Sequence, residues 1–280
     1  VRRAAREQGF ALLAVLWAAM MLAIIVASLL TSGRTEALIA RNRARAAAQE
    51  AIADAAINAA ILRMLNPDPA MQPPTDGTAF RIDFAGAPVR VVVQDEAGKI
   101  DLNRADGSLL ARLLEVAGLG GDDAQAMADR IQDWRDPSGL HRLNGADEAA
   151  YAAAGAGYGP RRGPFPSVEE LRLVAGMDPR VFARIAPSLT VASDTPWVDP
   201  SFAGHDVLLA LPGATEASVA AALAARAAAR LPGVVTGHAF SITAEADEAG
   251  VRMVRCAVIR LTGNRTVPVW VYSWDRVSAP

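Results

Sequence analysis

Cysteine is almost absent. The single thiol among 280 residues, Cys256, excludes an intramolecular disulfide, a structural zinc cluster built on thiolates and a CxxC redox motif. The three histidines, His141, His205 and His238, are scattered, and neither HExxH nor GxSxG occurs. The sequence therefore offers no zincin helix and no nucleophile elbow. His205-Asp206 is the one intimate pair, and it reads as the cap at a helix start. Cys256 lies in a strand-like apolar alternation, where a buried thiol is expected. No glycine-rich phosphate loop stands between a strand and a helix. A chain without a catalytic role is the expectation. The formal net charge of −2 also argues against a protein that chiefly neutralises phosphates, so no nucleic acid is expected as a partner. With 52% hydrophobic and 21% charged residues, the chain is long enough for one elaborate domain or two small ones.

Charge is also missing locally, over the 26 residues from Gln8 to Gly33. Within them, Phe10 to Leu30 (FALLAVLWAAMMLAIIVASLL) would form a helix of about 32 Å, matching a hydrocarbon core of about 30 Å. Each Leu, Ile, Val and Phe contributes about −0.3 to −0.6 kcal/mol, so insertion is favourable by several kcal/mol. The run is too long for a cleavable secretory signal, whose apolar region spans about 7–15 residues. Arg2, Arg3 and Arg6 precede it. The positive-inside tendency makes residues 1–9 a cytoplasmic leader and carries everything beyond Gly33 across the membrane, into the periplasm of a bacterium. A generic single-span periplasmic protein shares these features. The junction RRAAREQG-FALLAVLW is more specific, since the apolar helix starts directly after Gly9 and opens with Phe10. It resembles the class III signal of type IV pilins and pseudopilins. That resemblance implies a prepilin peptidase cut after Gly9 and methylation of the new N-terminus at Phe10.

No proline occurs before Pro67, and residues 34–65 are rich in strong helix formers, so one helix is expected from Phe10 to Leu65. Its second half carries an apolar stripe at Leu38, Ala44, Ala48, Ile52, Ala55 and Leu62 against charges at Arg41, Arg45, Glu50, Asp54 and Arg63. The link PDPAMQPPTD ends it. Three alternating stretches follow, FRIDFAG, PVRVVVQDEAG and KIDLN, and predict a meander of strands. DEAGKIDLN, with Asp95, Glu96 and Asp101, lacks the EF-hand pattern and reads as a hairpin. From Ala105 to Thr190 the periodicity is helical and strands are not expected, with Ser167–Glu170 matching a capping box. A second helical stretch, HDVLLALPGATEASVAAALAARAAARLPG, precedes three more strands. A sheet interrupted by a helical insert explains this order best.

The strings DEAGKIDLNRA, IQDWRDPSGLHRLNGADEAAY, GPFPSVEELRLVAGMDPRVFARIAPSLTV and LLALPG resemble, in order and spacing, the general secretion pathway protein K family, the large minor pseudopilin of type II secretion systems. The resemblance implies an α+β fold in which a pilin-like long N-terminal helix packs on a small antiparallel sheet, with a large, mostly helical inserted domain. The expected division is a leader at 1–9, the helix at 10–66 with 10–30 in the membrane, the first part of the head at 67–104, the insert at 105–195 and the rest of the head at 196–280. It further implies a place in the bacterial inner membrane as a single-pass protein, and later at the tip of the pseudopilus with the minor pseudopilins I and J. Most pilin-like proteins carry a glutamate where this chain has Ala14. Protein K relatives commonly lack it, which is consistent with a subunit that has none ahead of it.

Asp133, Asp136, Asp147 and Glu148 converge around a turn-rich segment with Pro137, Gly139 and Gly145. Carboxylates and loop carbonyls of this kind suit calcium, and protein K relatives bind calcium in the insert, usually with a more acidic run after the position of Asp136. Helix capping and solvation are the alternative roles for these four acids. One competing outline is a helix-hairpin-helix in LLALPGATEASVAAALAAR, with an echo in LLEVAGLGGDDAQAMADRI, which would make the chain a membrane-anchored DNA-uptake protein. Glu115, Asp122, Asp123 and Glu216 near those turns oppose it, because acidic groups repel a polyanion.

Overall fold

The computed structural model describes residues 4–84, 86–228, 233–248 and 251–276. Arg2 and Arg3 of the expected leader, and residues 229–232 at the end of the second helical stretch, lie outside the described residues. The first described element is α1 (Ala4–Met64), 61 residues without a break and about 92 Å long. Gly9 lies inside this helix. Phe10–Ser28 is long and apolar enough to cross a membrane, with mean hydropathy 2.7 and no burial. The helix ends where Pro67 could not donate to the ladder.

Among the described side chains of α1, the buried ones are Gln49, Ala53, Ala56, Ile57, Ala60, Ile61 and Met64. This differs from the expected stripe, since Leu38 and Leu62 are exposed, as are Ala44 and Ala48, and Ile52 and Ala55 are only partly covered. The reason is steric. Alanines lie on every side of this helix, and the sheet takes the side whose Ala53, Ala56 and Ala60 allow the closest approach. Glu50 and Asp54, expected on the solvent side, tie the helix to the sheet instead. The Asp54 carboxylate accepts from Arg255 Nε at 2.8 Å and Trp274 Nε1 at 2.7 Å, and Glu50 pairs with Arg255 at 3.2 Å and Arg276 at 2.5 Å. Asp54→Ala leaves both donors without their acceptor and is expected to cost about 1–2 kcal/mol. Denaturant unfolding of the full chain checks this, with Asp54→Asn expected to fall between the two.

The sheet has five antiparallel strands in the order β1 (Asp76–Phe84), β2 (Ala87–Asp95), β5 (Ala239–Glu248), β6 (Val251–Leu261) and β7 (Val269–Arg276). Its inner face, with Val89, Val91, Val93, Phe240, Ile242, Ala257 and Ile259, closes on α1. Neighbours β2 and β5 pair Val93 with Ile242, although the helical region separates them in sequence. The insert expected from the order of elements is therefore present.

The hairpin expected at DEAGKIDLN is not formed. Asp95 closes a 3-10 turn at Glu96–Gly98 by accepting from Ala97 N at 2.9 Å. The chain then leaves the sheet, and β3 (Ile100–Asp101) pairs in parallel with β4 (Leu189–Thr190), so the insert holds a strand where none was expected. Ile100 and Leu102 drive this, because both are fully buried in the helical core rather than the sheet core. That core also contains α2 (Gly107–Val116), α3 (Gly121–Arg135), α4 (Glu148–Ala153), α5 (Pro179–Ile185), α6 (His205–Ala210) and α7 (Glu216–Ala228). It runs from Ile100 to Val219, past both expected boundaries of the insert.

Ser167 makes no capping hydrogen bond, and Val168–Leu173 is a 3-10 helix. The capping box fails because Glu170 is engaged elsewhere, accepting from Trp134 Nε1 and Arg161 Nε, each at 3.0 Å. Asp106 and Asp178 do cap α2 and α5, each accepting at 2.7 Å from a first-turn amide.

Candidate functional site

Three places could carry function: the loop between α3 and α4, the α6–α7 turn, and the unburied stretch Phe10–Ser28 of α1. Asp133 lies on the last turn of α3, buried, and Asp136 takes the position after the helix. Asp133 Oδ1 accepts from Arg142 Nη1 at 2.7 Å, and its two oxygens lie 3.3 and 3.2 Å from the Arg142 amide. Asp136 Oδ2 meets the same guanidinium at 3.5 Å. Asp136 also accepts from Ser138 N at 2.9 Å, and this amide, ahead of Arg142, holds its carboxyl below the usual range. Asp147 caps α4 by accepting from Ala150 N at 2.9 Å. Glu148 pairs with Arg162, and its own backbone amide, then that arginine, draws its carboxyl below the usual range.

The structure thus brings Asp133 and Asp136 together on Arg142 and directs Asp147 and Glu148 to separate partners. Among the described residues, no three His, Cys, Asp or Glu side chains converge to hold a metal. Calcium takes six to eight oxygen ligands, and as placed the four acids do not fit it. What sequence reasoning missed are the arginines. Arg142 and Arg162 are legible only as two cations close to an acidic run, a signal that by itself does not fix a pairing.

At the α6–α7 turn, His205 does not cap. Gly204 occupies the N-cap position without a side-chain bond, and the imidazole bridges the two helices, Nδ1 to Asp206 Oδ1 at 2.9 Å and Nε2 to Glu216 Oε2 at 3.0 Å. The turn that would face DNA phosphates in a helix-hairpin-helix therefore presents Asp206 and Glu216. Asp206 first, then Glu216, raises the His205 pKa above its usual 6.5. A raised histidine contributes stability that is complete below about 6.5 and is lost as pH rises through the higher folded-state value. The thermal midpoint is expected to fall over that interval, and His205→Gln is expected to flatten the dependence. Cys256, in mid-β6, has its thiol pushed up by burial, so it is no ready nucleophile.

Comparisons with known proteins bear on the same regions. The family model for "Type II secretion system (T2SS), protein K" matches residues 90–194, which include the acidic loop. Type II secretion system protein K of Klebsiella pneumoniae is 35% identical over 86 residues, 31% of this chain and 26% of the relative's length. The matched part thus spans about a quarter of that relative. A chain in the crystal structure of the GspK-GspI-GspJ complex of the enterotoxigenic Escherichia coli type 2 secretion system is similar in fold, with a TM-score of 0.58 at 12% identity. That match covers 88% of this chain and 100% of the other. The family model and the K. pneumoniae relative make residues 90–194 similar to type II secretion system protein K, and the E. coli chain shows that the fold is shared over most of the length.

Proposed function

We propose that this protein is a minor pseudopilin of a type II secretion system. Phe10–Ser28 anchors it in the bacterial inner membrane, with the head in the periplasm. A prepilin peptidase cuts after Gly9, and Phe10 becomes the methylated N-terminus. The subunit then takes the tip of the pseudopilus, beside minor pseudopilins of the I and J type, and initiates or caps its assembly for protein export. In this reading it has no catalytic role. The observation that carries it is the form of α1: one unbroken helix, apolar and unburied over Phe10–Ser28, whose last turns pack through alanines onto an antiparallel sheet. A side chain that faces lipid before assembly can face neighbouring helices afterwards, because in both settings the surface needed is apolar and uncharged.

Coexpression with a prepilin peptidase followed by intact-mass measurement tests the reading. The expected product begins at Phe10 and carries one methyl group. A chain that keeps residues ahead of Phe10, or is cut beyond Leu30, contradicts it.

A further inference from the structure

The resemblance to protein K relatives implies a cation in the α3–α4 loop, and the residues of this chain do not fit one. We infer that Arg142 and Arg162 take the place of the metal, so that the loop is locked by two guanidiniums and keeps its form without a divalent cation.

Four observations carry this. First, the charges correspond, since two guanidiniums bring the same formal charge to the acids as one divalent ion. Second, the Asp133 carboxylate is already engaged by a cation. Its oxygens receive the Arg142 guanidinium and the Arg142 amide, with His141 Nδ1 3.7 Å away, so a metal ion approaching it would meet the positive charge of Arg142. Third, the glycines of the loop leave room for these groups. A Cβ on Gly139 would lie 2.5 Å from Arg162 Nη1, and one on Gly145 would lie 1.7 Å from Asp133 Oδ2. The space opened by Gly139 is filled by a guanidinium. Fourth, Arg162 is fixed at both ends. Its amide donates to Trp134 O at 2.8 Å while its side chain reaches Glu148 at the start of α4, so it joins the end of one helix to the beginning of the next. Its backbone adopts φ 54, uncommon for a residue with a side chain.

The remaining charged neighbour, Arg135, turns away from the acids and donates to the Leu102 and Ala105 carbonyls. Arg142 and Arg162 are thus the cations that serve this loop among the described residues. A planar guanidinium offers several fixed donors where a metal asks for several oxygens, so the same acids can be organised from inside the chain.

The test uses the full chain in detergent micelles. Thermal midpoints are measured in excess chelator and in millimolar calcium, for the wild type and for the Arg142→Gln, Arg162→Gln double variant. The wild type is expected to melt at the same temperature in both. The double variant is expected to melt about 5 °C lower in chelator, and recovery of that loss by calcium would add support by showing the freed acids turning to a metal. A wild-type midpoint that rises with calcium overturns the inference. So does a double variant that melts like the wild type in chelator. If the double variant does not fold, the wild-type comparison decides alone.

Discussion

Gly98→Ala is expected to destabilise the protein by about 3 kcal/mol, at the upper end of what overpacking a core costs. An alanine Cβ at this position would lie 2.3 Å from the Phe202 carbonyl oxygen, 2.4 Å from its carbon and 2.8 Å from the Phe202 Cβ. Two of those three atoms are backbone and cannot rotate aside. The Glu96–Gly98 turn and the Phe202 segment would have to separate, and that contact links the end of β2 to the chain just ahead of α6. Gln94 Nε2 donates to Phe202 O at 2.9 Å, Asp199 N donates to Ala97 O at 2.8 Å, and the Phe202 ring meets His238 edge-on at 6.4 Å. His238 in turn reaches the buried Asp95 at 2.8 Å, whose carboxyl burial pushes above its usual range even against that partner. Denaturant unfolding of the full chain measures the loss. Gly157→Ala is the control, because nothing lies within 4 Å of its added Cβ, and it is expected to stay within about 0.5 kcal/mol of the wild type. Equal midpoints for the two variants would show that the joint yields more easily than its backbone geometry implies.

The parts of this fold that depend on local chemistry were legible in the sequence. Helix α1 follows from the absence of proline before Pro67 and the run of strong helix formers. The sheet strands follow from alternation, and the separation of β2 from β5 follows from the helical pattern between them. What was not legible depends on choices between near-equivalent local options. The buried stripe of α1 differs from the expected one because alanine recurs on every side, and the sheet's need for close approach decides which side is covered. KIDLN alternates like its neighbours, yet Ile100 and Leu102 belong to the other core, which no periodicity within five residues can signal. Ser167 and Glu170 have the right spacing for a capping box, but Trp134 and Arg161 compete for the same carboxylate from elsewhere in the chain. At the acidic loop the four carboxylates were visible as a group. Their arginine partners were not, because an arginine six, nine or fourteen residues away pairs only through the path of the backbone between.

Trp134→Ala is expected to cost about 3–5 kcal/mol, the range for truncating a large buried aromatic. Trp134 is 3% exposed and lies at the centre of the helical core's aromatic cluster, with ring centroids 5.7 Å from Tyr151, 6.2 Å from Phe165 in a stacked arrangement and 6.3 Å from Tyr158. Its Nε1 donates to Glu170. Trp134→Phe separates the contributions, since it keeps a ring in the cluster and removes the donor, and about 1 kcal/mol is expected for the lost hydrogen bond. Unfolding midpoints should fall in the order wild type, Trp134→Phe, Trp134→Ala, and similar losses for the two variants would assign the stability to the Glu170 bond instead. The comparison also ranks the forces at the acidic loop. Trp134 directly follows Asp133, and its carbonyl receives the Arg162 amide, so the ring's packing fixes the backbone on which both guanidinium contacts depend. Arg142 and Arg162 are partly exposed, with 34% and 40% of their side-chain surface open to water, and solvent weakens charge pairs of that kind. Trp134→Ala is therefore expected to lower the midpoint more than the loss of both arginines: packing positions the loop, and the charge pairs then select its conformation.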